Sequence, residues 1–232
     1  MAKAISGGRV NIPRLILVPS LITLGITLIR LVGELLHLNE TLFNPKPGGP
    51  GSLVGITWLA PIFGVYFALQ LSRAGVGPAS VWRVIGRAVV GVLLLFGGIL
   101  IVASPEVDFP GQLAVGLLIM ATAVAIQFEV WPAFFKTQLA YAFAARIPVV
   151  ILMFFAIRGN WGTHYDVVPP DFPPMGFWMK YMLIAFWPQM VFWVAFTVVV
   201  GMLFGGIAAA LPLRRKTEQP AAQAAGQMAE GR

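Results

Sequence analysis

Six long apolar stretches restrict this chain more than any other feature, and the short connections between them carry Lys and Arg mostly on alternate sides. A helix crossing the ~30 Å hydrocarbon core of a bilayer needs about 20 mostly apolar residues, because in lipid every backbone N–H and C=O must be satisfied within the segment. The runs are continuous rather than alternating, which is the pattern of spanning helices and not of barrel strands. Only 11% of the residues are charged, against about 25% in a soluble domain, and the mean hydropathy is +0.83. The sequence therefore predicts an all-α, polytopic integral membrane protein: a bundle of six transmembrane helices with spans at about 15–36, 52–71, 84–103, 113–135, 138–157 and 189–211.

The connections orient this bundle. Residues 1–14 carry Lys3, Arg9 and Arg14 and no acid. The apolar run that follows reads as an uncleaved span, since Arg30 and Glu34 continue its helix and no small-residue cleavage site follows. Of the sixteen Lys and Arg residues, eleven fall on the side of the N-terminal segment and only three (Lys46, Arg158 and Lys180) on the other. An excess of basic residues marks the cytoplasmic side, so both termini are expected inside. The last apolar stretch, 178–213, is too long for one upright helix. Pro188 is expected to divide it into an aromatic interfacial segment, 177–187, and the sixth span; a single tilted, kinked helix is the alternative. The tail, 214–232, rich in Ala, Gln and Gly after Arg214-Arg215-Lys216, is expected to be disordered and cytoplasmic. The preference for Arg over Lys and the abundant Ala and Gly suggest a GC-rich bacterial genome and an inner-membrane location.

These features also exclude function classes. The net charge of +7 is gathered at the two ends and in one connection, not on a face interleaved with exposed aromatics, so nucleic acid is not an expected partner. The chain has no Cys, which removes disulfides, thiolate metal sites and cysteine nucleophiles. No metal and no cofactor is assigned. The bilayer itself, further copies of the chain or a membrane-complex partner are the expected contacts.

Against so apolar a background a few polar residues stand out. Arg30, Glu34 and His37 recur at i, i+4 and i+7 and would share one face near the outer end of the first span, as a site for solute or protons or as a snorkelling ion pair. His164, Tyr165 and Asp166 lie in the outer connection 158–177, within reach of the same layer; a His-x-Asp pair with His37 and an acid is an incomplete metal-ligand pattern. Glu129 and Arg146 sit at similar distances from a turn expected near Lys136-Thr137. An antiparallel hairpin would level them as an intramembrane ion pair, since pairing lowers the cost of burying either charge. Gly201, Gly205 and Ala209 form a small-residue ridge that permits close helix packing, inside the chain or with another copy.

No catalytic residue is assigned. The functional expectation is a small transport or permeation component, with proton coupling as an option, in which Arg30, Glu34 and His37 receive solute or protons outside and Glu129–Arg146 gates inside. The alternatives are a non-catalytic accessory subunit of a membrane complex, and a membrane enzyme acting on lipid or quinone at the outer face through His164 and Asp166.

Overall fold

The structure is a computed structural model that describes residues 5–6, 9–49, 52–104, 109–170 and 172–211. The tail 214–232, Lys3, and the connection containing Glu106 and Asp108 lie outside the described residues. Apart from a two-residue antiparallel pairing of Ile5–Ser6 with Arg9–Val10, the described chain is helices and connections, so the protein is all-α.

Local chemistry explains where the helices start and stop. Helix α1, Ile12–Leu35, begins at Asn11, whose side-chain oxygen accepts from the Arg14 N–H at 3.1 Å. Pro13 follows in the first turn, where a missing N–H is no loss. It ends on His37, which adopts φ 49°. The His37 N–H donates to the Glu34 carbonyl (3.1 Å) and the Leu38 N–H to the Gly33 carbonyl (2.9 Å), the paired bonds that close a helix on a left-handed residue. Gly75 closes α2, Leu59–Arg73, by the same bonds, to Ser72 and Leu71. Helix α3, Val81–Ala103, is capped by Ser80, as its hydroxyl position suggests. Helices α4, Gln112–Ala125, α5, Pro132–Gly159, and α6, Phe177–Leu211, complete the set.

Four of these helices, α1, α3, α5 and α6, are long and apolar enough to cross a membrane. The other two have 15 and 14 residues, which at 1.5 Å per residue is about 22 and 21 Å. Three sequence expectations are corrected here. The front of the second predicted span, 52–58, is bends and turns rather than helix. The fourth predicted span, 113–135, stops at Ala125, because residues 126–130 form turns and Pro132 occupies the first turn of α5; no turn falls at Lys136-Thr137. Finally, 177–211 is one continuous helix, the alternative reading of that stretch. Pro188 does not break it, because the turns on either side, Tyr181–Phe186 and Pro188–Trp193, are π-helical. The wider i→i+5 bonding absorbs the donor that proline lacks.

Helices α5 and α6 form the centre: half or more of their most apolar windows is buried, against 22% for α1 and 28% for α3. Phe63 and Phe67 of α2 meet the Tyr141 ring edge-on at 5.3 and 5.4 Å, and the Tyr141 hydroxyl lies 2.8 Å from Thr23 Oγ1 of α1. The small-residue ridge of α6 packs inside the chain. A Cβ added to Gly64 of α2 would stand 2.6 Å from Gly201 Cα, and one added to Gly205 would stand 2.8 Å from the Gly64 carbonyl oxygen. Ala209 is buried in the same core. Close backbone approach of this kind supplies the dispersion contacts that hold helices together where lipid is as apolar as leucine.

Candidate functional site

Two arginines on neighbouring helices line one cavity, and their surroundings differ. Arg30 and Glu34 lie one turn apart on α1, and Arg30 Nε donates to Glu34 Oε1 at 2.9 Å. The carboxylate is fully buried. It also receives the His164 backbone N–H at 2.9 Å, and His164 Nδ1 stands 2.6 and 2.8 Å from its two oxygens. Arg30 Nη2 reaches the carbonyls of Asn44 and Gly49, each at 3.3 Å. Glu34 thus draws together the end of α1, the α1–α2 connection and the α5–α6 connection.

The neighbours of His164 hold it there. Asp166 accepts from the Gly162 N–H (3.0 Å), the Thr163 N–H (2.8 Å) and the Thr163 hydroxyl (2.7 Å), which folds 162–166 into a tight turn. Tyr165 is buried and donates to the Thr27 carbonyl at 3.2 Å, with its ring centroid 3.8 Å from that of His164. Burial pushes the His164 imidazole below the usual histidine range, an effect that the Glu34 carboxylate opposes but does not overcome. Burial also raises the Tyr165 hydroxyl. His164 is therefore neutral at pH 7. Because a carboxylate only accepts, the proton sits on Nδ1. With Arg30 and Glu34 opposite in charge, the cluster is neutral as a whole.

His37 does not join it. Its exposed ring stands outside the cluster because the helix that would have carried it round to the Arg30 face has already ended, with His37 itself as the left-handed closing residue. Among the described residues no three His, Asp or Glu side chains gather as metal ligands.

Arg146 of α5 is 4% exposed. Its Nη1 donates to Gln189 Oε1 of α6 at 3.3 Å, and its guanidinium lies 4.8 Å from the centre of the Trp193 ring. Its Nε has no hydrogen-bond partner among the described residues. The expected partner is elsewhere. Glu129 lies in the turn before α5, 72% exposed, with Oε2 3.6 Å from Arg87 Nη2. The reason is the position of the turn. Glu129 precedes Pro132, whereas Arg146 lies about 21 Å further along α5 at 1.5 Å per residue. Levelling the two would require the chain to reverse at Lys136-Thr137, where it is helical instead.

The cavity between these stations has a volume of about 700 Å³. Arg30, Gly49 and His164 line it together with Arg146, Gln189 and Trp193; no carboxylate is among its described lining residues. The α1–α2 connection forms part of its wall, with Ser52, Leu53 and residues 55–58 among the lining. Gln189 and Trp193 face Arg146 from the π-helical part of α6, an irregularity often found at functional sites. Sequence reasoning missed both. A signal for Gln189 was present, since it is the one amide or charged side chain between Lys180 and Thr197; Trp193 is one aromatic among many and gave none.

Comparison with known protein families, with characterised proteins and with solved structures found no match to this chain.

Proposed function

We propose that the chain is a transport or permeation component of a bacterial inner membrane that admits an anion to Arg146. The observation that carries this reading is an arginine buried within a cavity with, among the described residues, one neutral hydrogen-bond partner and no carboxylate. A buried charge left without a counter-charge costs several kcal/mol, and even on insertion scales an arginine at the middle of a spanning helix costs about 2.5–3.5 kcal/mol. An anionic ligand removes that penalty when it binds.

In this reading all six helices span, α2 and α4 with help from the connections beside them, and both termini face the cytoplasm. Its support is that Arg73, Arg83, Arg87 and Lys136 all lie at or near the ends of α2, α3 and α5 that meet, where the Trp131 indole N–H donates to the Val76 carbonyl at 2.8 Å. The Arg30–Glu34–His164 cluster then lies outside as a roof that ties two connections over the cavity. Glu34 and His164 are the pair on which a coupled proton would reside.

The test is reconstitution of the whole chain in liposomes with uptake of radiolabelled anions. Uptake that is lost in Arg146→Gln supports the proposal. The natural lack of Cys allows a second measurement on Gln189→Cys. If that thiol is closed to water-soluble reagents from both sides and no anion crosses, the transport reading falls. The rival, in which a partner subunit inserts the missing carboxylate, predicts a fixed partner that stays bound in mild detergent.

A further inference from the structure

We infer that the ligand of this cavity is an anionic amphiphile: an acidic head group at Arg146 carrying a single apolar body. The inference rests on the anion reading of Arg146 and adds the ligand's class. Volume is the first argument. About 700 Å³ lies within the 300–1,000 Å³ typical of sites that enclose drug-sized molecules and is far larger than a small inorganic anion needs.

The wall is the second argument. Besides its polar residues the cavity is lined by apolar side chains such as Ile56, Val149, Met153 and Ile184. These cannot replace the hydration shell of a free inorganic ion, whereas they gain by covering methylene groups. Leu53 and Trp58 also line the cavity and are 59% and 62% exposed.

Charge is the third. Glu34 already neutralises Arg30, so among the described residues the cavity offers one cation without a counter-charge and suits one acidic group. Trp193 covers a face of the Arg146 guanidinium, so the oxygens of a head group would meet it in the plane of its N–H donors; Nε is itself buried and has no partner among the described residues. A planar fork of this kind binds carboxylate and phosphate alike. Gln189, already bonded to Nη1, fixes its orientation.

The experiment uses the purified full-length chain in a neutral maltoside detergent, with equilibrium binding of dodecanoate and of dodecyl phosphate as separate arms. Acetate, inorganic phosphate and dodecanol serve as the comparisons. At least one acidic amphiphile is expected to bind at least 100-fold more tightly than its short or inorganic counterpart, gaining about fourfold per buried methylene. The arm that binds better identifies the head group. Dodecanol is expected to bind at least tenfold more weakly. Arg146→Gln is expected to bring the acid down to the level of the alcohol. Ile184→Trp, which fills the body of the cavity, is expected to weaken the amphiphile at least tenfold while acetate is unchanged. Should Arg146→Gln fail to fold, Arg146→Lys and Ile184→Trp carry the test. Acetate or inorganic phosphate binding as tightly as the amphiphiles overturns the inference and leaves the anion site standing. Amphiphile binding that is indifferent to Arg146 overturns both.

Discussion

Arg30 and Arg146 are the same residue in opposite circumstances. Arg30 has a carboxylate one turn away and two backbone carbonyls within 3.3 Å. Arg146 has an amide oxygen, the face of an indole and an unpartnered Nε. The first arrangement is complete, and it holds two connections to the end of a helix. The second lacks a counter-charge among the described residues, and it lines a cavity. A buried cation that has its anion recovers part of its desolvation cost, whereas one without it does not.

Breaking the complete arrangement should have the largest effect. Glu34→Gln leaves Arg30 without its counter-ion and is expected to destabilise by about 3–5 kcal/mol, the range for removing one partner of a buried pair. Denaturant unfolding of the detergent-solubilised chain would measure it, and a loss below about 1 kcal/mol would dissolve the distinction between the two arginines. The second variant should move the other way. Arg146→Met in the absence of ligand is expected to stabilise by about 1–4 kcal/mol, as exchanges of buried ions for apolar residues often do. A marked fall in the melting temperature would show that Arg146 holds structure after all.

A smaller effect concerns pH. His164 titrates below the usual histidine range when folded, so between about 6.5, its value in an unfolded chain, and that lowered value the unfolded state binds more protons. Stability is therefore complete above pH 6.5 and falls as the medium is acidified through the lowered value. Melting curves at pH 7.5 and 5 should show this slope shrinking in His164→Gln; an unchanged slope would detach His164 from the cluster's stability. The smallest effect belongs to Glu129. Its exposed, long contact with Arg87 is worth at most about 0.5 kcal/mol, so Glu129→Gln should leave unfolding unchanged. Reversing both charges, Glu129→Arg with Arg146→Glu, should restore nothing. Rescue in that double variant would reinstate the ion pair that the position of Pro132 rules out.

Much of the frame was legible from local chemistry. The apolar runs located helices, and the Arg30–Glu34 spacing predicted a contact that forms. The failures share a cause. A span of 113–135 and a turn at Lys136-Thr137 were equally compatible with hydropathy, because Ile126, Phe128, Val130 and Trp131 are as apolar in a turn as in a helix. Once Pro132 started a new helix, every depth counted from the turn shifted, and Glu129 moved away from Arg146. His37 fell for a related reason: helical spacing places it only if the helix continues, and the helix ended two residues earlier. His164 was marked as a candidate, but nothing in the order of residues said that its ring would meet Glu34, 130 positions away.

By itself the sequence determined the class of protein, since long charge-poor apolar runs satisfy their backbone in lipid only as helices. It also marked Arg30, Glu34, His164 and Arg146, though not Gln189. Only the tertiary structure decided how they combine. Whether a buried charge meets an opposite charge, an amide or an empty space depends on helix ends and on contacts between distant segments, and a single turn of error at either moves a side chain by about 5 Å.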